Sequence, residues 1–301
     1  MSVPISLPQI MAHRQTGLEV WMDRVLEIAP KVEPNWRKAE VHDLRVALRR
    51  CRTMGEALRE VSPSSRWRRI KKVSRKLFHA SGDLHDTQVE RSWVKKCGPA
   101  GDPVRRYMLG LLSREEKKDR KNAAVALAAF DHKEWKKLKR KLQPKAEFFP
   151  SDSVVFQRLA MARLNEAAQL YEEAKRKRSS IAWHRLRIGI KNFRYVVENF
   201  LPERFEAWSA DLKQMQDQLG DVHDIDVLRG KLRRHASKLD PQALEKWREK
   251  LAIERKSILH EFLAKSRGPD SPWIVWRSGF QQGHTLVAAS FPRRRIALAA
   301  G

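Results

Sequence analysis

One pattern of eleven residues occurs twice in this chain, and the repetition limits the fold more than any other feature. His42-Asp-Leu-Arg-Val-Ala-Leu-Arg-Arg-Cys-Arg52 returns 142 positions later as His184-Arg-Leu-Arg-Ile-Gly-Ile-Lys-Asn-Phe-Arg194. Val46 becomes Ile188, Leu48 becomes Ile190 and Arg49 becomes Lys191, while histidine, leucine and two arginines recur unchanged. A second block follows each copy. Ser81-Gly-Asp-Leu-His-Asp-Thr-Gln-Val89 returns 138 positions later as Leu219-Gly-Asp-Val-His-Asp-Ile-Asp-Val227, with Arg75 matched by Lys213 and Arg91 by Arg229. Two blocks in the same order at nearly the same offset predict an internal duplication.

The duplicated unit reads as helical. Apolar residues recur with helical spacing and no run alternates as a strand would. Pro30 and Pro34 are expected to close a first helix, Pro63 a second, Gly82 to interrupt a third, and Gly98 to Pro103 to end a fourth before a Lys-rich stretch. After Pro144 to Ser153 the cadence restarts, predicting helices over 154–177, 181–200, 205–218 and 222–238. Another begins at Asp240-Pro241, an N-cap followed by proline at the first helical position. The stretch from Ser271 carries Trp273, Trp276 and Phe280 without a clear pattern and reads as a packed tail. The expected class is all-α, with two tandem helical bundles.

At about 100° per residue the repeated motif sorts into two faces. With His42 at zero, Arg45, Arg49 and Arg52 fall within an arc of about 80° that runs some 15 Å along the axis. Leu44, Leu48 and Cys51 fall on the other side. The second copy sets His184, Arg187, Lys191 and Arg194 against Leu186, Ile190 and Phe193. A charged stripe is usually just a solvated face, but such faces mix signs to gain from pairs three and four apart. Here like charges occupy those spacings. The stripe therefore asks for an outside anion.

Net charge agrees. The chain holds 62 Lys and Arg against 36 Asp and Glu, a formal +26, so compaction works against self-repulsion unless a polyanion relieves it. From His42 to Lys76 there are 12 basic and 3 acidic residues, and Arg68, Lys72 and Arg75 form a further stripe toward His79. Arginine suits phosphate because its planar fork bonds two oxygens and stays charged. His42 and His184 would bind phosphate best when protonated; the neighbouring cations lower their pKa and a bound polyanion would restore it. Each could instead be a core residue that orients an arginine.

Other classes are narrowed. No stretch approaches the roughly 20 apolar residues needed to cross a bilayer, and Met1 to Met11 lacks the basic start and cleavage site of a signal peptide. Cys51 and Cys97 make no disulfide framework and lack metal-ligand spacing, so a reducing cytoplasm is expected.

The His-x-Leu-Arg-Val-x-x-Arg-Arg-x-Arg run, its second copy and the Gly-Asp-x-His-Asp-x-x-Val segments resemble the CHAD family, the conserved-histidine α-helical domain. The resemblance spans about residues 10 to 265. It implies two helical bundles related by a pseudo-twofold, with inorganic polyphosphate bound on the basic surface between them and polyphosphate granules as a place to meet it. One CHAD-like domain would then cover 1–270 (repeats at about 8–145 and 152–266), with 271–301 as tail. On this basis His42, Arg45, Arg49, Arg52, His184, Arg187, Lys191 and Arg194 match the family's basic motif, and Lys72, Arg75 and Lys213 extend it. One departure stands out: the family usually has Arg before the aspartate where this chain has His85 and His223. Asp86 and Asp224 are expected to start helices there, and Asn192 replaces the equivalent of Arg50.

The rival readings use the same residues. Nucleic acid would be drawn by any basic groove, although no aromatic row or base-reading motif accompanies the charge beyond Trp67 and Trp183. The two His-Asp dipeptides could belong to a metal-dependent phosphohydrolase, which needs further converging ligands. The expectation is binding without catalysis, cofactor or metal.

Overall fold

The computed structural model describes residues 17–33 and 35–288, with side chains as far as Gln281. Among these residues there are eleven α-helices, one 3-10 turn and no strand. In chain order they are α1 (Leu18–Val32), α2 (Lys38–Val61), α3 (Ser65–Val73), α4 (Arg75–Cys97), α5 (Pro103–Ala128) and α6 (His132–Glu147), then α7 (Val154–Lys177), α8 (Ser180–Phe200), α9 (Pro202–Arg234), the 3-10 turn Ala236–Lys238, α10 (Pro241–Lys265) and α11 (Pro272–Ala288). The all-α expectation holds. The readings of Pro34 and of Met1 to Met11 lie outside the described residues.

Local chemistry sets several of the helix starts. Asp102, Asp131, Ser179 and Asp240 each accept a backbone N–H bond at the start of α5, α6, α8 and α10, and proline fills the first position of α5 and α10. The apolar stripes turn inward as their spacing requires. Leu44, Leu48 and Cys51 of α2 are fully buried, as are Leu186, Ile190 and Phe193 of α8.

Several expected boundaries are corrected. Pro30 does not end α1, which continues to Val32. Gly82 does not interrupt its helix, since α4 runs unbroken from Arg75 to Cys97. Residues 205–218 and 222–238 are not two helices, because α9 passes straight through Gly220 to Arg234. Asp86 and Asp224 consequently lie inside helices and cap nothing. Glycine costs a helix about 1 kcal/mol, which flanking turns can outweigh. At Gly82 a Cβ would meet the tip of the Arg45 guanidinium, which would have to shift to make room. The segment from Ser271 is also more regular than expected, for α11 seats Trp276 and Phe280 in the core.

The packing places the two copies of the motif face to face. α2 and α8, which carry the first block, pack against each other, and so do α4 and α9, which carry the second. Two apolar clusters hold this arrangement, each drawing on both halves of the chain. The larger joins α2 and α8 through residues such as Leu44, Leu48, Ile190 and Phe193. The smaller joins the ends of α4 and α5 to α9 and α10 through Trp93, Met108, Leu228 and Trp247.

Candidate anion-binding site

The basic stripes of α2 and α8 converge. Lys191 feels Arg187 on its own helix and Arg49 and Arg45 from the other half. Burial first, then these three guanidiniums, push its ammonium down to about 8. Arg49 lies over the Tyr195 ring, 5.3 Å from its centroid, which ties the two helices together by a cation–π contact. Its Nε is buried without a hydrogen-bond partner, and so is that of Arg187. Among the described residues Arg49, Arg187 and Lys191 form no salt bridge. Unpaired, partly buried cations of this kind leave donors open for an anion.

Acids are also present at the seam. Asp86 stands 3.9 Å from Arg45 and also feels Arg187 and Lys191. Asp224 lies near Arg187, Asp221 and Asp86, and burial raises its carboxyl to about 6. Asp86 is raised too, by burial above all. Glu198, on α8, takes Arg50 from the first half and Arg194 at 3.6 Å from its own helix.

Each half carries a pair of imidazoles at the edge of this cluster. His42 and His85 have ring centroids 5.4 Å apart, and His184 and His223 4.6 Å apart. Burial, then Arg49, lowers His42, with Asp43 opposing; burial, then Arg187 and Lys191, lowers His184. His85 and His223 fall further, each to about 4, through burial and the arginine of their own half, Arg45 or Arg187. The lowering expected for His42 and His184 is present, and both rings are solvent-exposed rather than core residues.

The remaining basic residues named from the sequence are elsewhere. Arg52 is almost fully buried, donating to the Lys71 carbonyl at 2.9 Å and to Ser74 Oγ at 3.1 Å, and it stacks over Phe78. Its guanidinium joins α2 to α3 and α4. Lys72, Arg75 and Lys213 are exposed; Arg75 neighbours Arg52, and Lys213 pairs with Asp217 on its own helix. Arg50 reaches across to Glu198 and Asn199 and stacks on Trp21, whereas its counterpart Asn192 is exposed.

The family model for the CHAD domain matches residues 22–233. The chain belongs to the CHAD family. No curated protein matches it. A solved structure, the CHAD domain from the plant Ricinus communis, superposes with a TM-score of 0.57 at 20% identity, covering 88% of this chain and 89% of that one. At that identity the likeness is one of fold. In this CHAD protein the seam between α2 and α8 is thus where cations of both halves of the family fold meet.

Proposed function

We propose that this chain binds inorganic polyphosphate along the seam between its repeats and does not turn it over. The observation that carries the reading is the convergence of Arg45 and Arg49 with Arg187 and Lys191, which lowers the Lys191 ammonium and leaves buried guanidinium N–H groups unsatisfied. A flexible chain of phosphates can track such a seam, each oxygen taking charge-assisted bonds while condensed counterions are released. Cytoplasmic polyphosphate, including that of granules, is the expected source.

Nucleic acid is the other polyanion to weigh. Single-strand binders stack bases on exposed aromatic rings. Trp67 and Trp183, the tryptophans beside the basic stripes, are 2% and 3% exposed and cannot serve as platforms. Among the described residues no helix is long and apolar enough to cross a membrane.

The test is a competition titration at fixed salt, with long-chain polyphosphate against duplex and single-stranded nucleic acid at matched phosphate. Polyphosphate is expected to displace both, with affinity growing with chain length until the seam is filled and falling steeply with salt. The double variant R45E/R187E should lose binding, whereas K136E, on the exposed face of α6, should not. Equal competition by nucleic acid, or equal losses in the two variants, overturns the reading.

A further inference from the structure

The seam leaves a second basic surface unused, on α6. Trp135, Leu138 and Leu142 are buried on one side of that helix, where the Trp135 indole N–H donates to the Met22 carbonyl of α1 at 3.0 Å. With that side fixed in the core, the helical wheel turns Lys133, Lys136, Lys137, Arg140 and Lys141 outward, within an arc of about 140°. All five are exposed, and among the described residues none of them forms a salt bridge. We propose that this face docks the protein on an anionic lipid bilayer, with the lysines among the headgroups and Phe148 inserted beneath them.

Phe148 separates this face from an ordinary solvated one. It follows the last turn of α6 at about 60° from Lys133, inside the basic arc, and it is 80% exposed. Its ring stands edge-on to that of Phe149 at 5.4 Å, and Phe149 packs in turn on the buried Phe156 at 6.4 Å. The apolar tip is therefore held out from a rooted base, not folded back onto the protein. Moving that ring to the boundary between headgroups and acyl chains removes apolar area from water. The lysines beside it supply the attraction to negative headgroups.

The neighbouring helix adds charge. α3 packs on α6, joined to it by the Arg69–Glu134 ion pair at 2.6 Å, and carries Arg66, Arg68 and Lys72, all exposed. That pair also neutralises Glu134, so Glu147 is the one acid of α6 inside the arc, and it accepts from Gln143 at 3.2 Å. Lysine predominates on α6, and a compact, mobile ammonium suits a fluid layer of headgroups better than a fixed fork to one phosphate. Single-strand binders stack successive bases on several rings, whereas a lone phenylalanine at the end of a lysine row fits an apolar layer. The face is separate from the polyphosphate seam, since α6 packs on α1 and α3 while the seam runs between α2 and α8.

The experiment is co-sedimentation of the full chain with vesicles at fixed salt, made of phosphatidylcholine alone or mixed with phosphatidylserine. Binding is expected only with phosphatidylserine. Each lysine near such a surface contributes about fivefold in affinity, so K137A/K141A should weaken binding about twentyfold. F148S should weaken it about tenfold through the lost apolar contact, with a nearly unchanged thermal melt. R45E/R187E, altered at the seam, should bind vesicles nearly as well as the unaltered chain. Duplex nucleic acid at matched phosphate is the other arm, and any binding of it should be indifferent to F148S. Failure to bind phosphatidylserine vesicles, a loss in R45E/R187E without one in K137A/K141A, or vesicle binding indifferent to F148S overturns the proposal. Duplex binding that depends on Lys137 and Lys141, without vesicle binding, overturns it in favour of nucleic acid.

Discussion

The Arg45 guanidinium occupies the space in which a Cβ on Gly82 would stand. The glycine of the second block thus receives the arginine of the first, and α4 fixes where that cation points. Gly220 holds the same place in α9, yet nothing lies within 4 Å of its missing Cβ. Helix propensity alone favours alanine at both sites by about 1 kcal/mol. G220A should accordingly raise thermal stability and leave polyphosphate affinity unchanged. G82A should displace Arg45 and weaken binding severalfold, with no gain in stability. Titration and thermal melts of the two variants check this, and equal behaviour of the pair would remove Gly82 from the site.

Arg50 and Glu198 form a clamp between the halves, assisted by Asn199 at 2.9 Å from the same guanidinium. Both side chains are largely buried, at 16% and 9% exposure. Removing one partner of such a pair strands the other charge and costs about 3–5 kcal/mol when burial is complete. R50A should lose somewhat less, about 2–3 kcal/mol, because Arg194 still faces Glu198. A urea melt gives the number. A loss below the scatter of surface substitutions would mean that the clamp does not hold the seam.

Arg49 and Arg52 share one stripe by helical angle, but their surroundings divide them. Arg52 spends its donors on Lys71 and Ser74, so R52A should cost about 1–3 kcal/mol of stability through broken buried bonds. Arg49 makes no such bonds and lies over Tyr195 at the seam. R49E should cost no more than about 1 kcal/mol, the loss of one cation–π contact, and cut polyphosphate affinity by about tenfold or more. Melts and titrations of both variants separate the roles, and a reversed pattern would reassign them.

The same pair shows what was legible in the sequence. Helical angle put the apolar stripes inward and the cations outward, and both stripes are where the spacing placed them. Angle does not say which neighbouring helix a cation meets, so Arg52 on α3 and α4 looked identical to Arg49 on α8. Two partners lie further along the same helical wheel. Tyr195 and Glu198 fall at about 20° and −40° from His184, on the basic face, just beyond the repeated block that ends at Arg194. Asp86 and Asp224 are hidden for another reason. A break at Gly82 and a gap between 218 and 222 turn two mid-helix acids into caps and hide their approach to Arg45 and Arg187. A glycine that makes room for a side chain from another helix leaves no local signal.

Lys191 makes the seam sensitive to alkali. Its folded-state value of about 8 lies below the ordinary 10.5 because burial and three guanidiniums oppose its charge. Between those values the unfolded chain holds a proton that the folded chain has released, so the stability of the free protein should rise from about pH 8 toward 10.5 on this account. Binding runs the other way. A phosphate chain cancels the repulsion and favours the ammonium, so affinity should be full below pH 8 and fall above it, with proton uptake on binding in that range. K191R removes the titration, since its charge persists, and should flatten the fall in affinity. Titrations at pH 7, 8 and 9 in two buffers of different ionisation enthalpy measure both quantities. A slope unchanged by K191R would show that Lys191 does not face the ligand.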